Sequence, residues 1–394
     1  FVMRILMISD VYFPRINGVS TSIQTFKREL EIAGHEVYLI APSYPEPMVD
    51  DDTILRIESR GVTLDPEDRM MKYRKLINQL PQLREKGFDL VHINTPFVAH
   101  YAGLTLARKL DIPCITTYHT LFEEYLYHYI PWIPKSVLRW AARSFSVSQC
   151  QALDGIITPS SIIASLLQQY GISNPIVTIP TGIDVSDFES GNGDKFRDSL
   201  GIEPHKKLLL NVSRVAYEKN IGRLLEVVQD LLKKSRDIHL VIAGEGPAKQ
   251  SYIQQARDMG IADHVSFIGY LDRSTDLIDC YHSADLFVFS SKTETQGLVL
   301  LEAMAAGTPV VAIAEMGTKE VLQDGLGVKI TDGTVSDFSA KIVEVLDQPD
   351  LHNTLSESAK LYAKDWDSSR LSARMAEYYV SITTQYPREL GSHA

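Results

Sequence analysis

Two glutamates, Glu294 and Glu302, stand where their carboxylates could do chemistry. They fall in the run Ser290–Met304, which follows a short apolar segment typical of a buried strand, Asp285–Phe289. Gly297 lies between them, and the residues after it favour a helix. Ligands of open α/β sheets bind beyond the carboxyl ends of strands, and a helix N-terminus offers unpaired N–H groups to a diphosphate. Because a carboxylate accepts two hydroxyl hydrogen bonds, this spacing favours a ligand with vicinal diols, such as a hexose or a ribose. On their own, however, the two glutamates also fit a solvated helix start with surface ion pairs.

Two cations follow another strand-like run, Lys207–Val212. Arg214 and Lys219 come directly after it, ahead of a predicted helix. They could stabilise the charge of a leaving diphosphate, the role that Mg²⁺ has in other enzymes. The alternative is that they are two ordinary surface cations.

A third loop follows the first strand-like run, Arg4–Ser9. It contains Asn17 and Gly18 just before a helical pattern. One glycine permits contact with a phosphate, but a dinucleotide fingerprint needs three, so the loop argues against a nicotinamide site.

The elements that must position these residues alternate between strand and helix along the chain. Near-continuous apolar runs predict strands buried on both faces, which means parallel sheets covered by helices. The pattern breaks around Thr181–Lys207 and then restarts. We therefore predict an α/β protein with two Rossmann-like, doubly wound domains facing each other across a cleft. The expected ranges are 1–187 for the first domain, 188–365 for the second, and 366–394 for a C-terminal helix that crosses back to the first.

The predicted strands are Arg4–Ser9, Glu36–Ala41, Ile54–Ile57, Leu90–Asn94, Cys114–Tyr118, Gly155–Thr158, Ile176–Ile179, Lys207–Val212, His239–Ala243, His264–Ile268, Asp285–Phe289 and Pro309–Ile313. Between the first two, Ser20–Ala33 is expected to form a helix. Ser20 is the expected N-cap, and Gly34 is expected just past the end.

Composition excludes several classes of function. The net charge of −11 argues against a nucleic-acid binder. No apolar run reaches the roughly 18–20 residues that span a bilayer. Three widely spaced cysteines fit buried free thiols and therefore a cytoplasmic protein. Charge is uneven, because residues 1–187 carry 17 Lys+Arg against 20 Asp+Glu and are close to neutral.

Taken together, the motifs resemble family 4 glycosyltransferases, which are retaining enzymes with the two-Rossmann GT-B fold. The resemblance covers essentially the whole chain. It rests on the spacing Glu294-x7-Glu302 with Gly297-Leu298, the Arg214 and Lys219 pair, the Asn17-Gly18 loop, Tyr118-His119-Thr120 and the run Pro180–Asp184.

The resemblance implies a role for each of these residues. Glu294 approaches the donor sugar, next to the backbone of Gly297, Leu298 and Val299. Glu302 holds the ribose, Arg214 with Lys219 neutralises the diphosphate, and the Asn17-Gly18 loop closes on the phosphates. His119 faces the transferred hexose. The implied catalytic residues are Glu294, His119, Arg214 and Lys219, and the implied mechanism is front-face transfer, in which the departing phosphate takes the acceptor's proton.

We expect neither a metal nor a cofactor, the nucleotide-sugar being a substrate. No group of residues has convincing metal-ligand spacing. Asp365-Trp366-Asp367 spells the DxD pattern of metal-dependent glycosyltransferases, but it lies between two late helices and is predicted to be a helix cap. Gly244-Glu245-Gly246-Pro247 is predicted to be a strand–turn–helix joint and not a dinucleotide site.

The acceptor is expected to meet the first domain, at Asp10, Tyr12 and Tyr125. Two segments there suit an anionic membrane surface: Arg69–Lys86 is predicted to be one basic amphipathic stretch, and Phe122–Phe145 places tyrosines and tryptophans among cations. The alternative is an ordinary helix pair whose aromatic side chains are core and whose cations are solvated. The predicted membrane contacts are Arg69, Lys72, Arg74, Lys75, Trp132, Lys135 and Arg139.

More loosely, the chain resembles diacylglycerol glucosyltransferases and related lipid mannosyltransferases. This favours transfer of glucose from UDP-glucose to a lipid such as diacylglycerol, at the inner face of the membrane. GDP-mannose as donor and a soluble acceptor remain alternatives. A non-catalytic sugar-nucleotide-binding protein and a sugar-nucleotide epimerase are the alternatives of other classes.

Overall fold

The computed structural model of the chain describes residues 2–62, 68–119 and 134–387. The chain forms two compact units. Unit 1 comprises Phe1–Gly182 and Ser368–Ala394, and unit 2 comprises Ile183–Asp367. The sequence placed these divisions at 187/188 and 365/366, a few residues away. Unit 2 is therefore an insertion into unit 1.

Unit 1 is built on a seven-stranded sheet in the order β3-β2-β1-β6-β7-β8-β9, in which every pair is parallel. A separate antiparallel hairpin joins β4 to β5. The strands are β1 (Arg4–Ile8), β2 (Glu36–Pro42), β3 (Ile54–Ile57), β4 (Ser59–Gly61), β5 (Arg69–Met71), β6 (Leu90–Ile93), β7 (Cys114–Thr117), β8 (Gly155–Thr158) and β9 (Ile176–Thr178). The helices are α1 (Gly18–Ile32), α2 (Tyr73–Ile77), α3 (Leu80–Lys86), α4 (Val98–Leu110), α5 (Lys135–Cys150), α6 (Ser161–Gln169) and α15 (Ser368–Gln385).

Unit 2 is built on a six-stranded parallel sheet in the order β12-β11-β10-β13-β14-β15. Its strands are β10 (Lys207–Val212), β11 (Ile238–Ala243), β12 (Val265–Gly269), β13 (Leu286–Phe289), β14 (Val310–Ile313) and β15 (Val328–Thr331). Its helices are α7 (Gly193–Ser199), α8 (Ile221–Lys233), α9 (Lys249–Asp258), α10 (Asp276–Ser283), α11 (Leu298–Ala305), α12 (Thr318–Val321), α13 (Val335–Asp347) and α14 (Pro349–Ala363). The sequence missed β15, as well as the β4–β5 hairpin.

The strands are buried because both faces of each sheet are covered. In unit 1, Leu6, Leu39, Val91 and Ile157 are shielded almost completely from solvent, and α15 adds Met375 to the cluster that contains Leu39 and Ile157. In unit 2, apolar clusters lie on both faces of the sheet. The near-continuous apolar runs of the sequence therefore reflect two-sided burial, and the predicted class of two doubly wound α/β units is confirmed.

Each sheet has one point where the strand order reverses. In unit 1 it lies between β1 and β6, and in unit 2 between β10 and β13. In open α/β sheets, ligands bind outside the carboxyl ends of the strands at this point. The loops after these four strands are thus the places where a site is expected.

Two local predictions were wrong. The side chain of Asn17, not Ser20, caps α1, and its Oδ1 accepts from the Ser20 N–H at 2.8 Å. The segment Arg69–Lys86 is not one amphipathic element, since it contains β5, α2 and α3. Its apolar side chains Met71, Leu76 and Leu83 are buried in the unit and do not form a free apolar face.

All three cysteines are buried and free, as the sequence indicated. Among the described residues, no helix has both the length and the apolar character required to cross a membrane.

Candidate functional site

Hydrogen bonds join the two loops that leave the reversal point of unit 2. The Asn220 side chain donates to the Ser290 carbonyl at 3.2 Å, and the Ser290 hydroxyl donates back to the Asn220 carbonyl at 2.9 Å. The Thr293 hydroxyl donates to the Glu218 carbonyl at 3.4 Å. The loop after β10 and the loop after β13 therefore form one surface at the carboxyl edge of the sheet.

This surface contains the expected cations, each paired with a carboxylate. Lys219 forms an ion pair with Glu294, and Arg214 donates to Glu218 at 3.2 Å. All four side chains are mostly buried, with exposed fractions between 11% and 20%. The sequence predicted cations that face solvent or a ligand, and it did not predict Glu218 as a partner. The available signal was the spacing of four residues between Arg214 and Glu218 on a short turn.

The backbone around Glu294 is held by the loop after β14. The Gly317 N–H donates to the Glu294 carbonyl at 2.9 Å. A Cβ on Gly317 would lie 1.8 Å from the Thr295 carbonyl oxygen, so only glycine allows this approach. Gly297 follows with a φ of +87°, which favours glycine, and α11 begins at the next residue. Leu298 and Val299 form the first turn of that helix.

The Gly244-Glu245-Gly246-Pro247 run packs against the loop that carries Arg214. A Cβ on Gly244 would lie 1.9 Å from the Ser213 carbonyl oxygen, and one on Gly246 would lie 2.3 Å from that of Val215. The Val215 N–H donates to the Glu245 carbonyl at 2.8 Å. These glycines are thus required by close packing of two protein backbones, in agreement with a strand–turn–helix joint.

Glu302 is buried, with 1% of its surface exposed. Arg273 donates to its Oε1, and the Tyr281 hydroxyl donates to its Oε2 at 2.7 Å. The Glu302 charge raises the pKa of Arg273, and burial raises the pKa of Tyr281 well above its usual value. The sequence missed both donors, although Arg273 follows the carboxyl end of β12, where site residues are expected.

In unit 1, Asp10 follows β1 at the reversal point and is buried. Its carboxylate accepts from the Thr95 hydroxyl at 2.7 Å and from the Ala99 N–H at 3.1 Å, so it caps the start of α4. Burial, partly offset by these hydrogen bonds, raises the pKa of Asp10 to about 6. Asp10 was expected to contact the acceptor, and its carboxylate oxygens already accept these bonds within unit 1.

The Asn17-Gly18 loop follows the same strand. Asn17 caps α1, and Gly18 is the first residue of that helix. A Cβ on Gly18 would meet no atom within 4 Å, and its φ is not one that favours glycine. The fold of unit 1 therefore does not itself require glycine here.

His119 follows the carboxyl end of β7. Its Nε2 is buried and has no hydrogen-bond partner among the described residues. Burial lowers the pKa of His119 to about 4, so its imidazole is neutral at pH 7. Tyr12, another expected acceptor contact, is buried with Arg56 5.5 Å from its ring centre, whereas Tyr125 lies outside the described residues.

The expected membrane contacts fall on two surfaces of unit 1. Lys72, Arg74 and Lys75 are exposed, and both lysines pair with Glu58. Arg69 instead bonds to Ser59 in the β4–β5 hairpin.

The second surface is the first two turns of α5. Trp140 is 69% exposed and Val137 is 49% exposed, and they lie beside Lys135 and Arg139, which are also exposed. Leu138 and Ala142 of the same helix are buried. Trp132 lies outside the described residues.

Within the ranges 2–62, 68–119 and 134–387, no group of three or more His, Cys, Asp or Glu side chains is arranged to hold a metal ion.

Comparison with known proteins identifies the class. Residues 16–187 match the model of "Glycosyltransferase Family 4", and residues 192–362 match that of "Glycosyl transferases group 1". The alpha-monoglucosyldiacylglycerol synthase of Streptococcus pneumoniae is 35% identical, over 98% of this chain and 88% of that protein. The enzyme of the same name from Acholeplasma laidlawii is 26% identical, over 98% of this chain and 99% of that protein.

Among solved structures, the Anabaena protein HepE in complex with UDP and glucose is similar in fold. The TM-score is 0.77 at 17% identity, with 96% of this chain and 100% of that chain covered. The two Rossmann-like units match the GT-B fold. The chain belongs to the family 4 glycosyltransferases.

Proposed function

We propose that this glycosyltransferase is a retaining α-glucosyltransferase that moves glucose from UDP-glucose to a membrane lipid such as diacylglycerol. The names of two relatives that align over nearly the whole chain support this donor sugar and acceptor. The family match supports the retaining outcome.

One observation carries the proposed chemistry. Lys219, Glu294 and Arg214 lie in two hydrogen-bonded loops at the reversal point of the unit 2 sheet. Two cations there suit the charge that develops on a leaving diphosphate, and a carboxylate beside them suits the hydroxyls of a sugar. A site of this composition favours transfer of the sugar from a nucleotide-sugar over a reaction that changes the sugar by general acid–base chemistry.

In the proposed front-face reaction, the bond from the anomeric carbon to the diphosphate oxygen breaks. The bond to the acceptor oxygen forms on the same face, and the departing phosphate takes the acceptor's proton. Arg214 and Lys219 stabilise the negative charge on the diphosphate as it leaves. Lys219 begins the reaction bonded to Glu294, so its attraction to the diphosphate grows as that charge develops, which favours the transition state. No metal is needed for this step.

The loops of unit 1 have features that suit the remaining roles. Gly18 is a glycine that the fold does not require, as expected where a phosphate approaches the backbone. His119 is neutral at pH 7, so it can hydrogen-bond to a hexose hydroxyl without adding charge near an oxocarbenium-like centre.

We further propose that the enzyme binds the inner face of the membrane peripherally through unit 1. Trp140 with Lys135 and Arg139 combines an aromatic ring with cations, the composition preferred at the water–lipid interface. Lys72, Arg74 and Lys75 add charge attraction to anionic lipids. Burial of Met71, Leu76 and Leu83 limits this second patch to electrostatic contact.

The test is a panel of radiolabelled UDP- and GDP-sugars offered to the purified chain with liposomes that contain diacylglycerol. We expect an α-linked glucolipid from UDP-glucose, formed equally well in the presence of EDTA. Product only from a GDP-sugar would contradict the donor, and product only with a water-soluble acceptor would contradict the lipid. Loss of turnover in EDTA would contradict metal independence. Nucleotide binding without product from any donor would instead support a non-catalytic binding protein.

A further inference from the structure

Glu302 is a carboxylate that the protein holds almost entirely out of water. It lies in the second turn of α11 and has an exposed side-chain fraction of 2%. An ionised carboxylate in such a place is costly unless a cation and hydrogen bonds compensate it.

Two donors supply that compensation, one on each oxygen. Arg273 bonds to Oε1 and Tyr281 bonds to Oε2. A carboxylate has about four acceptor positions, so these two bonds leave roughly one further position on each oxygen. Two free positions on adjacent oxygens match the two hydroxyls of a vicinal diol.

The arginine is the outer member of the pair. Its side chain is 26% exposed, compared with 2% for Glu302. Its backbone lies in a turn fixed by Asp272, whose carboxylate accepts from the N–H groups of Ser274 and Thr275 at 2.9 and 3.1 Å. The turn follows β12, so Arg273 belongs to the same carboxyl edge of the sheet as Arg214 and Glu294.

We propose that Arg273 is a positioning residue that holds the Glu302 carboxylate in the orientation that accepts both hydroxyls of the donor's ribose. The proposal rests on the proposed function, together with the ribose contact that the family resemblance implies for Glu302. Arg273 acts through Glu302 and does not touch the nucleotide. Its loss therefore weakens recognition of the ribose and leaves contacts to the base and diphosphate intact.

A second ion pair of unit 2 provides a matched control. Arg197 donates to Asp285 at 2.7 Å, and their side chains are 14% and 20% exposed. Asp285 precedes β13 and so lies at the amino edge of the sheet, away from the loops of the site. If Arg197→Met and Arg273→Met weaken nucleotide binding equally, the cause is a loss of stability. If only Arg273→Met weakens it, the cause is the position of the Glu302 carboxylate.

The experiment measures binding of nucleoside diphosphates to the full chain by calorimetry at a single pH near neutrality. The probes are UDP and GDP, followed by the 2′,3′-dideoxy form of whichever one the wild type binds. The wild type is expected to prefer the ribonucleotide.

Arg273→Met is expected to weaken ribonucleotide binding at least tenfold and to leave 2′,3′-dideoxynucleotide binding within about twofold, because the dideoxy form has no ribose hydroxyl for Glu302 to accept. Arg273→Lys retains the charge and should keep the wild-type preference for the ribonucleotide. Tyr281→Phe removes a hydrogen bond but no charge, so it should keep most of that preference.

A double variant that combines Glu302→Gln with Arg273→Met distinguishes a positioning role of Arg273 from a general effect on the fold. Glu302→Gln should lose the preference for ribose. Adding Arg273→Met to it should change affinity by less than about twofold, because no carboxylate remains to be held. This pair also buries no unpaired charge, so it provides the test if Arg273→Met alone does not fold.

Two results would overturn the proposal while leaving the proposed function in place. One is an equal loss of affinity for the ribo- and 2′,3′-dideoxyribonucleotide in Arg273→Met. The other is the same loss from Arg273→Met whether or not Glu302 is present. A wild type that binds neither UDP nor GDP would overturn the proposed function and this inference together.

Discussion

At the scale of single residues, the two cations of the candidate site in unit 2 are paired with carboxylates before any substrate arrives. Lys219 pairs with Glu294, and Arg214 pairs with Glu218. A cation already held by a carboxylate loses little freedom when the substrate binds, since its position is fixed in advance. The pairs also limit the repulsion between the two cations.

Lys219→Met should therefore reduce kcat about 100- to 1,000-fold, the usual cost of removing one group that stabilises developing charge. KM should change much less. Steady-state kinetics with the radiolabelled donor measure both values.

Lys329→Met is the matched control, because Lys329 pairs with Glu344 at 3.2 Å and is similarly exposed, at 21% compared with 20% for Lys219. It removes the same charge from unit 2 and should leave kcat unchanged. An equal loss of kcat in both variants would refute a specific role for Lys219.

Gly18 gives a second prediction at this scale. Gly18→Ala introduces a Cβ that meets no atom within 4 Å, at the first position of a helix. Stability should stay the same or rise by up to about 1 kcal/mol, since alanine is the better helix former. Turnover should fall at least tenfold if the donor phosphates approach the backbone here. Thermal unfolding checks the prediction on stability, and kcat/KM measured on the same preparation checks the prediction on turnover. An unchanged kcat/KM would show that Gly18 is not part of the donor site.

At the scale of elements, the strands could be predicted from sequence far better than the contacts at their ends. Two-sided burial makes strands apolar throughout, so twelve runs were recognisable without any partner being known. β15 escaped because its sequence, Val328–Thr331, alternates apolar with polar residues and has only partly buried positions between its buried ends. The candidate site was predicted only in part. Glu218 was overlooked although it stands four residues from Arg214, whereas Arg273 and Tyr281 become partners of Glu302 through folding and not through sequence spacing.

The basic surface that includes α2 gives a prediction at this scale. Neutralising Lys72, Arg74 and Lys75 to Gln should weaken binding to anionic liposomes roughly 100-fold, at about 1 kcal/mol per charge. The effect should fade in high salt. Liposome flotation measures the binding, and affinity for UDP should not change.

The control is the neutralisation of three exposed lysines of unit 2, Lys195, Lys234 and Lys360, which alters the net charge equally. Equal weakening by both sets would mean that membrane attraction depends on net charge and not on the position of the cations.

At the scale of the whole molecule, buried histidines set the response to acid. Burial lowers their pKa values below 6.5, to about 3 for His92 and about 4 for His100, His119 and His239. Between pH 6.5 and 4, the unfolded chain binds protons at these sites that the folded chain does not. The free energy of unfolding therefore falls as pH is lowered through this window. Asp10 and Asp68, whose pKa values burial raises, act in the opposite sense but are fewer.

We therefore expect the thermal midpoint to drop by roughly 10 °C between pH 7 and pH 5, at a few degrees per kcal/mol for domains of this size. His100→Phe should make the drop smaller by a few degrees, because one buried imidazole no longer resists protonation. Scanning calorimetry at fixed ionic strength measures the thermal midpoints of the wild type and of His100→Phe. A midpoint that is constant over this range would contradict the assignment of neutral, buried histidines.

The insertion of unit 2 into unit 1 also governs the order in which the protein can fold during synthesis. The Tyr379 hydroxyl lies 2.6 Å from Nδ1 of His92, a bond between residues far apart in the chain, and Met375 and Ile382 complete the same core. Ile183–Asp367 is one continuous segment, so unit 2 has all its residues while unit 1 still lacks α15. A ribosome adds 5–20 residues per second, so it needs about 10–40 s to synthesise unit 2. During this time the apolar surface of the unit 1 sheet that packs against α15 remains uncovered. The first half of this enzyme is thus the last to be completed, and during that interval it is the part most in need of a chaperone.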